Sequence, residues 1–184
     1  MKFVWAITGA GDLMPEVFDV MEDISKDKTI EITAILSRAA VTVLKWYKLT
    51  ERLERIAVKT LIEKDANTPF IAGPLQTGRY DFLLAAPLTA NTAAKIACGL
   101  ADTLVSNAVA QVNKSPVPAY LLPVDRKPGL VTTMLPDGTP LTLRIREVDI
   151  ENVEKIRKMG GLEILEDPGA IRGVIQSFQE KRNA

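Results

Sequence analysis

Four short polar segments hold the residues of this sequence that are best suited to bind an anionic ligand. Each follows a short apolar run, and the segments are 8–12, 37–39, 86–92 and 123–129. They are rich in small residues, in hydroxyl and amide side chains and in backbone donors. The first three are expected to lead into helices, whose unpaired N–H groups and dipole favour a phosphate. The pattern predicts a site for a planar ligand that carries a phosphate.

Each segment also has a purely structural interpretation. The stretch 8–11 supplies two glycines of a dinucleotide fingerprint, but Met14 stands where the third is required. On its own, a tight strand-to-helix turn explains this stretch better. The absence of a following Gly-Lys-Ser/Thr excludes a P-loop. The remaining alternatives are simple helix caps at Ser37, Asn91 and Thr92 and a stiff connection at 123–129.

Composition narrows the chemistry that such a site can perform. The 184 residues include no histidine and a single cysteine. This excludes Ser-His-Asp and Cys-His catalysis, an intrachain disulfide and a zinc site made of cysteines, and we expect no metal site. The 23 basic residues equal the 23 acidic ones, so we expect neither nucleic acid nor a membrane as a partner. Chemistry must come from carboxylates, Lys, Tyr, hydroxyls, backbone dipoles or a bound cofactor.

Alternating strands and helices are predicted to position the four segments. Apolar and β-branched runs predict strands at 3–7, 30–36, 58–62, 80–86 and 117–122, the fourth being ended by Pro87. Helical spacing of apolar residues predicts helices at 13–24, 39–56 and 91–111, and Gly99 is a point where the last could break. This alternation predicts a parallel sheet with helices on both faces, a three-layer, Rossmann-like (flavodoxin-like) α/β fold. Ligands of such sheets bind beyond the carboxyl ends of the strands, where the four segments should converge.

The C-terminal third departs from this alternation. The stretches 131–135 and 141–145 flank Pro136-Asp137-Gly138, which predicts a β-hairpin that leaves the sheet at about 130–146. The rest of this third is predicted to form a helix at 150–159 with Asp149 as its N-cap, a short strand at 162–165 and a last helix that starts at Asp167-Pro168.

We find no convincing linker, so we expect one domain that spans 1–184. No secretory signal and no apolar run of membrane-spanning length is found, which predicts a cytoplasmic protein.

The segment 86–104 closely resembles a motif of a known family. It begins Ala86-Pro87-Leu88-Thr89-Ala90-Asn91-Thr92 and is similar to the Pro-Ala-Ser-Ala-Asn-Thr motif of the flavoprotein family that contains the homo-oligomeric flavin-containing cysteine decarboxylases. Leu88 replaces the first Ala, and Thr89 replaces the Ser while keeping a hydroxyl. The stretches 7–12 and 36–39 match the phosphate loop and the second FMN loop of that family. The resemblance spans roughly the first two-thirds of the chain.

The resemblance implies that FMN is the cofactor. The FMN-binding residues that it implies are Thr8, Gly9, Ala10, Gly11 and Asp12 after the first strand, Ser37 and Arg38 after the second, and Pro87, Leu88, Thr89, Ala90, Asn91 and Thr92 in the motif. Of these, we expect the phosphate, the ribityl chain and the ring edge to be held by Gly9, Ala10, Ser37, Thr89, Asn91 and Thr92.

The departures from the motif pattern point to one branch of the family. The decarboxylases use a His and a Pro-x-Met-Asn segment, whereas this chain has no His and carries Pro123-Val124-Asp125-Arg126. Flavin prenyltransferases open with Gly-Ala-Ser-Gly, and this chain has Gly9-Ala10-Gly11-Asp12. The archaeoflavoprotein and dihydromethanopterin reductase branch is more similar, on the stretches 43–49, 75–81 and 148–160.

That branch implies an FMN-dependent oxidoreductase. Electrons would pass from a reduced carrier, ferredoxin or NAD(P)H, to a pterin such as dihydromethanopterin, which becomes tetrahydromethanopterin. A homo-oligomer built on trimers is also implied. The alternatives that stay open are a flavin-dependent decarboxylase or transferase of the same fold, and an electron carrier without turnover of its own.

Reduction of a pterin C=N bond needs a proton donor that is not a His. Asp12, Tyr120, Asp125 or water could supply the proton, and the sequence does not choose among them.

Two further features have both a structural and a functional interpretation. Trp46 and Tyr47 are adjacent aromatic residues on a predicted helix. In the structural interpretation, one packs in the core and the other lies at the surface. In the functional interpretation, they stack on the flavin or on the acceptor. A basic run is interrupted by acidic residues and is typical of a solvated helix face, with a ferredoxin docking face as the alternative. It consists of Lys45, Lys48, Arg52, Arg55 and Lys59.

Overall fold

The structure is a computed structural model that describes residues 1–183. The strands of this range are β1 (Lys2–Ile7), β2 (Glu31–Leu36), β3 (Lys59–Ile62), β4 (Phe82–Leu88), β5 (Ala119–Pro123), β6 (Leu130–Met134), β7 (Pro140–Arg144) and β8 (Leu162–Ile164). The helices are α1 (Met14–Ser25), α2 (Arg38–Trp46), α3 (Thr50–Ile56), α4 (Ala72–Gln76), α5 (Ala90–Ala97), α6 (Leu104–Val112), α7 (Glu147–Arg157) and α8 (Ala170–Asn183).

Six of these strands form one parallel sheet in the order β3-β2-β1-β4-β5-β8. The chain runs outward from β1 to β3 in one direction and from β4 to β8 in the other. The direction of winding therefore reverses between β1 and β4, and a crevice opens there beyond the carboxyl ends of the strands. The predicted three-layer α/β fold is confirmed.

Two apolar cores cover the two faces of the sheet. Along β1, Phe3, Trp5 and Ile7 face the core that α1, α2, α3 and α8 complete. Val4 and Ala6 face the opposite core, which α4, α5, α6 and α7 complete. Because both faces of β1 are buried, its sequence is a continuous apolar run rather than an alternating one.

The predicted helix 39–56 is wrong as a single element, because it is divided into α2 and α3. Lys48 between them has a left-handed backbone with φ of 56°. Its N–H donates to the Lys45 carbonyl (3.2 Å), and the Leu49 N–H donates to the Leu44 carbonyl (2.9 Å). This is a Schellman end with lysine at the position that usually holds glycine, and the buried Leu49 side chain holds it closed.

The predicted helix 91–111 is also divided, at the position that the sequence indicated. Gly99 has φ of 73° and ends α5. Helix α6 then begins with a capping box, in which Thr103 and Ser106 each accept a hydrogen bond from the other's backbone N–H.

Three smaller predictions need correction. Pro87 lies within β4 and does not end it. Asp149 is not an N-cap, because α7 begins at Glu147 and Arg146 is the residue before it. Asp149 lies inside the helix, where its buried carboxylate accepts two hydrogen bonds of 2.7 Å from the Arg146 guanidinium. The last helix begins at Ala170, whose N–H donates to the Asp167 carboxylate at 3.0 Å.

The predicted hairpin is confirmed as β6 and β7, which pair only with each other. Every residue of these two strands is at least partly exposed.

Among residues 1–183, no helix combines the length and the apolar character needed to cross a bilayer.

Candidate functional site

The crevice between β1 and β4 is closed at its base by Thr8. Its buried hydroxyl donates to the Pro87 carbonyl (2.8 Å) and accepts from the Thr89 N–H (2.8 Å). This side chain therefore ties the end of β1 to the end of β4 and fixes the loop that precedes α5. Both hydrogen-bonding functions of the hydroxyl are used by the protein itself.

A polar cavity of about 340 Å³ lies over this bridge. It is bounded by the N-termini of α2 and α5, whose first N–H groups give the cavity a positive character. Ser37 caps α2 by accepting from the Ala40 N–H at 3.1 Å. Thr89 caps α5 by accepting from the Thr92 N–H at 3.3 Å. The cap of α5 is therefore Thr89, and the alternative of caps at Asn91 and Thr92 is wrong.

Arg38 adds a positive charge to the polar cavity. Its guanidinium donates to the Lys64 carbonyl. Arg38 lines the cavity together with Thr92, Thr103 and one acidic residue, Glu63. Two helix ends and one guanidinium make this the part of the crevice best suited to a phosphate.

A second cavity of about 500 Å³ adjoins the first and is mainly apolar. Gly9, Thr89 and Asn91 line both cavities, so these residues mark the junction. Val43, Trp46 and Tyr47 of α2 and its C-cap form one wall, and the inward face of the hairpin forms another. The hairpin residues of that wall are Val131, Thr133, Leu135, Pro136, Leu141 and Leu143.

Two glycines permit close contacts that shape the crevice. A Cβ at Gly9 would lie 2.6 Å from the Ala39 Cβ, so any side chain there would force the start of α2 outward. A Cβ at Gly11 would lie 2.5 Å from the Tyr47 hydroxyl. The glycines of the first loop therefore set the distances between loop and helix.

Tyr47 connects α2 to the hairpin. Its hydroxyl donates to the Met134 carbonyl at 2.8 Å, at the end of β6. Burial raises the pKa of this phenol, and the carboxylates of Asp12 and Glu16 raise it further, so the hydroxyl stays protonated and able to donate. The hairpin is thereby held beside the apolar cavity.

Two carboxyl groups stand on the wall of the apolar cavity. Burial raises the pKa of Asp12, although the Leu13 N–H, the Arg126 guanidinium and the Thr133 hydroxyl act in the opposite direction. Burial also raises the pKa of Asp125, and the neighbouring Asp149 and Asp12 raise it further. The cavity therefore contains acids that hold protons at higher pH than ordinary aspartates do.

The structure brings most of the residues predicted for the site to the two cavities. Pro87 and Leu88 are the exceptions, because they lie within β4, and the buried Leu88 packs in the core behind the crevice. Tyr120, predicted as one of several proton donors, packs against Phe82 and Phe178 and lies outside the residues that line the two cavities.

Sequence reasoning missed the hairpin wall of the apolar cavity. The inward residues alternate along β6 and β7, and this alternation was the signal available. Such an alternation indicates that one face of the hairpin is more apolar than the other, but it does not indicate what that face covers.

Two of the five residues of the basic run form ion pairs with a neighbouring helix. Arg52 donates to Asp19 (2.8 Å) and Glu22 (2.6 Å) of α1, and Arg55 lies 3.8 Å from Glu22. These ion pairs fasten α3 to α1.

Among residues 1–183, no group of three or more acidic, Cys or His side chains could hold a metal ion.

Comparison with known proteins identifies relatives along the whole chain. Residues 1–180 match the family model described as Flavoprotein. An uncharacterized protein of Methanocaldococcus jannaschii is 49% identical over 95% of this chain and 94% of its own length. A dihydromethanopterin reductase (acceptor) of the same organism is 42% identical over 74% of this chain, and the match covers 58% of that reductase.

Solved structures share the fold. DmrB of Burkholderia xenovorans in complex with FMN, described as a cubic protein cage for redox transfer, has a TM-score of 0.82 and 26% identity, with 100% of this chain and 97% of that chain covered. The FMN-dependent cysteine decarboxylase TvaF of thioviridamide biosynthesis has a TM-score of 0.64 at 17% identity, with 95% and 94% covered, which supports the fold alone.

Proposed function

Because the chain belongs to the Flavoprotein family, we propose that it binds FMN across the two adjoining cavities and acts as an FMN-dependent oxidoreductase. The observation that carries the proposal is the polarity of the two cavities. One is lined mainly by hydroxyl, amide and charged side chains and faces two helix N-termini, whereas the other is lined mainly by apolar residues and has aromatic side chains on its wall. FMN has the same division, with a phosphate at one end and a flat ring system at the other.

The polar cavity is the proposed phosphate site. Ser37 and Thr89 accept N–H groups of their own helices and keep an O–H that can donate to a phosphate oxygen. Gly9, Ala10, Asn91 and Thr92 complete the contacts to the phosphate, the ribityl chain and the ring edge. Thr8, Pro87 and Leu88 act indirectly, by holding the loop before α5 in place.

The apolar cavity is the proposed ring site. FMN supplies the two-electron redox chemistry when bound, so the protein has to bind, orient and exclude water. Trp46 and Tyr47 offer flat surfaces beside the ring, and Gly11, Asp12 and Ala90 border it. The hairpin excludes water from the side opposite the sheet.

We propose a pterin as the electron acceptor, with dihydromethanopterin reduced to tetrahydromethanopterin. The relative of 42% identity carries the name of that reductase. The proposed donor is a reduced carrier, ferredoxin or NAD(P)H. A decarboxylase of the same fold is disfavoured because the chain has no His and lacks the Pro-x-Met-Asn segment.

We also propose that the chain forms a homo-oligomer built on trimers. DmrB, the structural relative, is described as a cubic protein cage. Around the proposed ring site, Trp46 is 61% exposed, Leu130 74% and Met134 53%. Large apolar side chains at this exposure are typical of a surface that a second copy covers. Light scattering of the purified protein measures the assembly directly.

The function is tested with freshly purified protein. We expect a flavin absorbance spectrum and release of FMN on denaturation. Under anaerobic conditions, dihydromethanopterin should reoxidise the reduced protein and yield tetrahydromethanopterin. Reduction and reoxidation by artificial carriers without any reaction with the pterin would instead indicate an electron carrier. A colourless protein that takes up no added FMN would refute the proposal.

The variant Asn91→Asp tests the assigned position of the cofactor. It places a negative charge where the two cavities meet, so FMN affinity should fall about tenfold or more, equal to about 1.4 kcal/mol. Fluorescence titration of the FMN-free protein measures this affinity. Asn113→Asp is the matched control, because it adds the same charge at an exposed position that lines neither cavity. Equal affinities in the two variants would contradict the assignment.

A further inference from the structure

We infer that Asp125 is the acid that gives its proton to the electron acceptor, and that Asp12 is the positioning neighbour that keeps this proton on Asp125. The inference rests on the proposed function, since it concerns the reduction of a C=N bond in the apolar cavity. Sequence reasoning left Asp12, Tyr120, Asp125 and water open as donors, and the structure separates them.

Position separates the acids of the cavity from Tyr120. Asp12 follows β1 and Asp125 follows β5, so the two carboxyl groups stand on either side of the end of β4 and line the same 500 Å³ space. Both side chains are partly buried. Tyr120 lies within β5 against Phe82 and Phe178, away from this space.

The surroundings of the two carboxyl groups differ. Burial raises the pKa of Asp12, but the Leu13 N–H, the Arg126 guanidinium and the Thr133 hydroxyl stabilise its carboxylate and counter part of that rise. Asp125 faces two further acids, Asp12 and Asp149, and one cation, Arg146.

The cation beside Asp125 is already paired. Arg146 makes two hydrogen bonds of 2.7 Å to the buried Asp149, so it offers Asp125 little net attraction. The charges around the two groups therefore favour a proton on Asp125 over one on Asp12, because Asp125 has two acidic neighbours and Asp12 has a guanidinium and two hydrogen-bond donors. Two carboxyl groups whose environments differ in this way divide the roles of acid and charged neighbour.

In the proposed step, reduced FMN would supply a hydride, and thus two electrons, to the carbon of the pterin C=N bond and would itself be oxidised. The nitrogen takes up the proton of Asp125, whose O–H bond breaks and leaves a carboxylate. Water then returns a proton to Asp125 before the next turnover.

Single-turnover kinetics of the FMN-loaded protein test the step. The readout is the ratio of two reoxidation rates, with dihydromethanopterin and with ferricyanide, since ferricyanide accepts electrons without a proton. Asp125→Asn should lower this ratio about 100-fold or more, as expected for loss of a general acid. Asp125→Glu should restore part of it. Glu151→Gln, an exposed change on α7, is the control and should leave the ratio at the wild-type value.

The pH profile adds a second signature. In the wild type the pterin rate should fall as pH rises through the pKa of Asp125, because the acid form is lost. Asp12→Asn removes a neighbouring negative charge, so this limb should move to lower pH. Asp125→Asn should lose the limb altogether.

Titration of the FMN-free full chain provides a readout that is independent of activity. Carbon-13 NMR of labelled aspartate carboxyls should place the Asp125 midpoint above the usual value of 3.8. Asp137, at the hairpin tip, should titrate below that value because the Thr139 N–H stabilises its carboxylate. Asp12→Asn should move the Asp125 midpoint downward and leave Asp137 in place.

The outcomes are distinct. A ratio for Asp125→Asn within threefold of wild type, or an Asp125 midpoint at or below that of Asp137, overturns the assignment while the proposed function stands. An unmutated protein that binds FMN but never reduces the pterin refutes the proposed function itself, and the assignment of Asp125 falls with it.

Discussion

The two cavities of the crevice are built in different ways. The polar cavity is made by loops at strand ends, which the buried Thr8 hydroxyl joins and which continue directly into α2 and α5. The apolar cavity needs the hairpin, whose residues are all at least partly exposed and which the Tyr47 hydroxyl ties to α2. One half of the site is therefore part of the folded core, and the other half is closed by an attached segment.

Small polar residues give the polar cavity its shape. The hydroxyls of Thr8, Ser37 and Thr89 accept backbone N–H groups of the protein and so set the shape of the loops. These internal hydrogen bonds hold the loops of the polar cavity in place. The shape of the apolar cavity depends instead on a hairpin that pairs with no strand of the main sheet and that the Tyr47 hydroxyl attaches to α2.

The largest expected effect comes from filling the space at Gly9. In Gly9→Ala the new Cβ would lie 2.6 Å from the Ala39 Cβ, and such overpacking costs about 1–3 kcal/mol. Since the strain falls on the start of α2, FMN binding should weaken more than the free energy of unfolding drops. Urea unfolding and FMN titration measure the two effects.

Matched variants make the Gly9 test specific. Gly173→Ala adds a methyl group in α8 where no atom lies within 4 Å, and it should not reduce FMN affinity. Adding Ala39→Gly to Gly9→Ala should recover much of the lost affinity. Unchanged FMN binding in the single variant would show that the polar cavity is not rigid. The polar cavity would then not differ from the apolar one in being part of the folded core.

The next effect comes from removing the bridge between β1 and β4. Thr8→Val keeps the shape of the side chain but leaves the partly buried Thr89 N–H without its acceptor, so the free energy of unfolding should fall by about 1–3 kcal/mol. Thr8→Ser, which keeps the hydroxyl, should lose much less. Urea midpoints for the two variants give the comparison, and equal losses would mean that the methyl group matters more than the bridge.

The smallest effect is expected at the hairpin. Tyr47→Phe removes the hydrogen bond to Met134 at a partly exposed position, which is worth about 0.5–1.5 kcal/mol. Hydrogen exchange should become faster in 130–144, while the global unfolding midpoint moves little. Tyr80→Phe is the control, because its hydroxyl contacts Thr33 at 3.3 Å away from the site. A large loss of global stability in Tyr47→Phe would show that the hairpin belongs to the core after all.

The fold was predictable because its signals are local. Continuous apolar runs such as 3–7 indicate strands that are buried on both faces, and the break at Gly99 follows from its freedom to adopt a left-handed backbone. The division at Lys48 was not predictable in this way. Lysine carries no such signal, and the turn is stabilised by the burial of Leu49 against the core.

The convergence of the loops at the candidate site was predictable for the same reason. The loops at 8–12, 37–38 and 89–92 were identified because strand ends and helix starts follow each other in sequence. The hairpin wall, the exclusion of Tyr120 and the contact between Arg146 and Asp149 depend on tertiary packing. A pattern of residues along one chain does not contain that information.

The space shared by Gly11 and Tyr47 links two positions that are far apart in the sequence. A methyl group at Gly11 would occupy the place of the phenol oxygen, 2.5 Å away. During evolution, a side chain at Gly11 is therefore accommodated only if the phenol at position 47 has been lost or has moved aside, and the hairpin must then be fastened by other contacts.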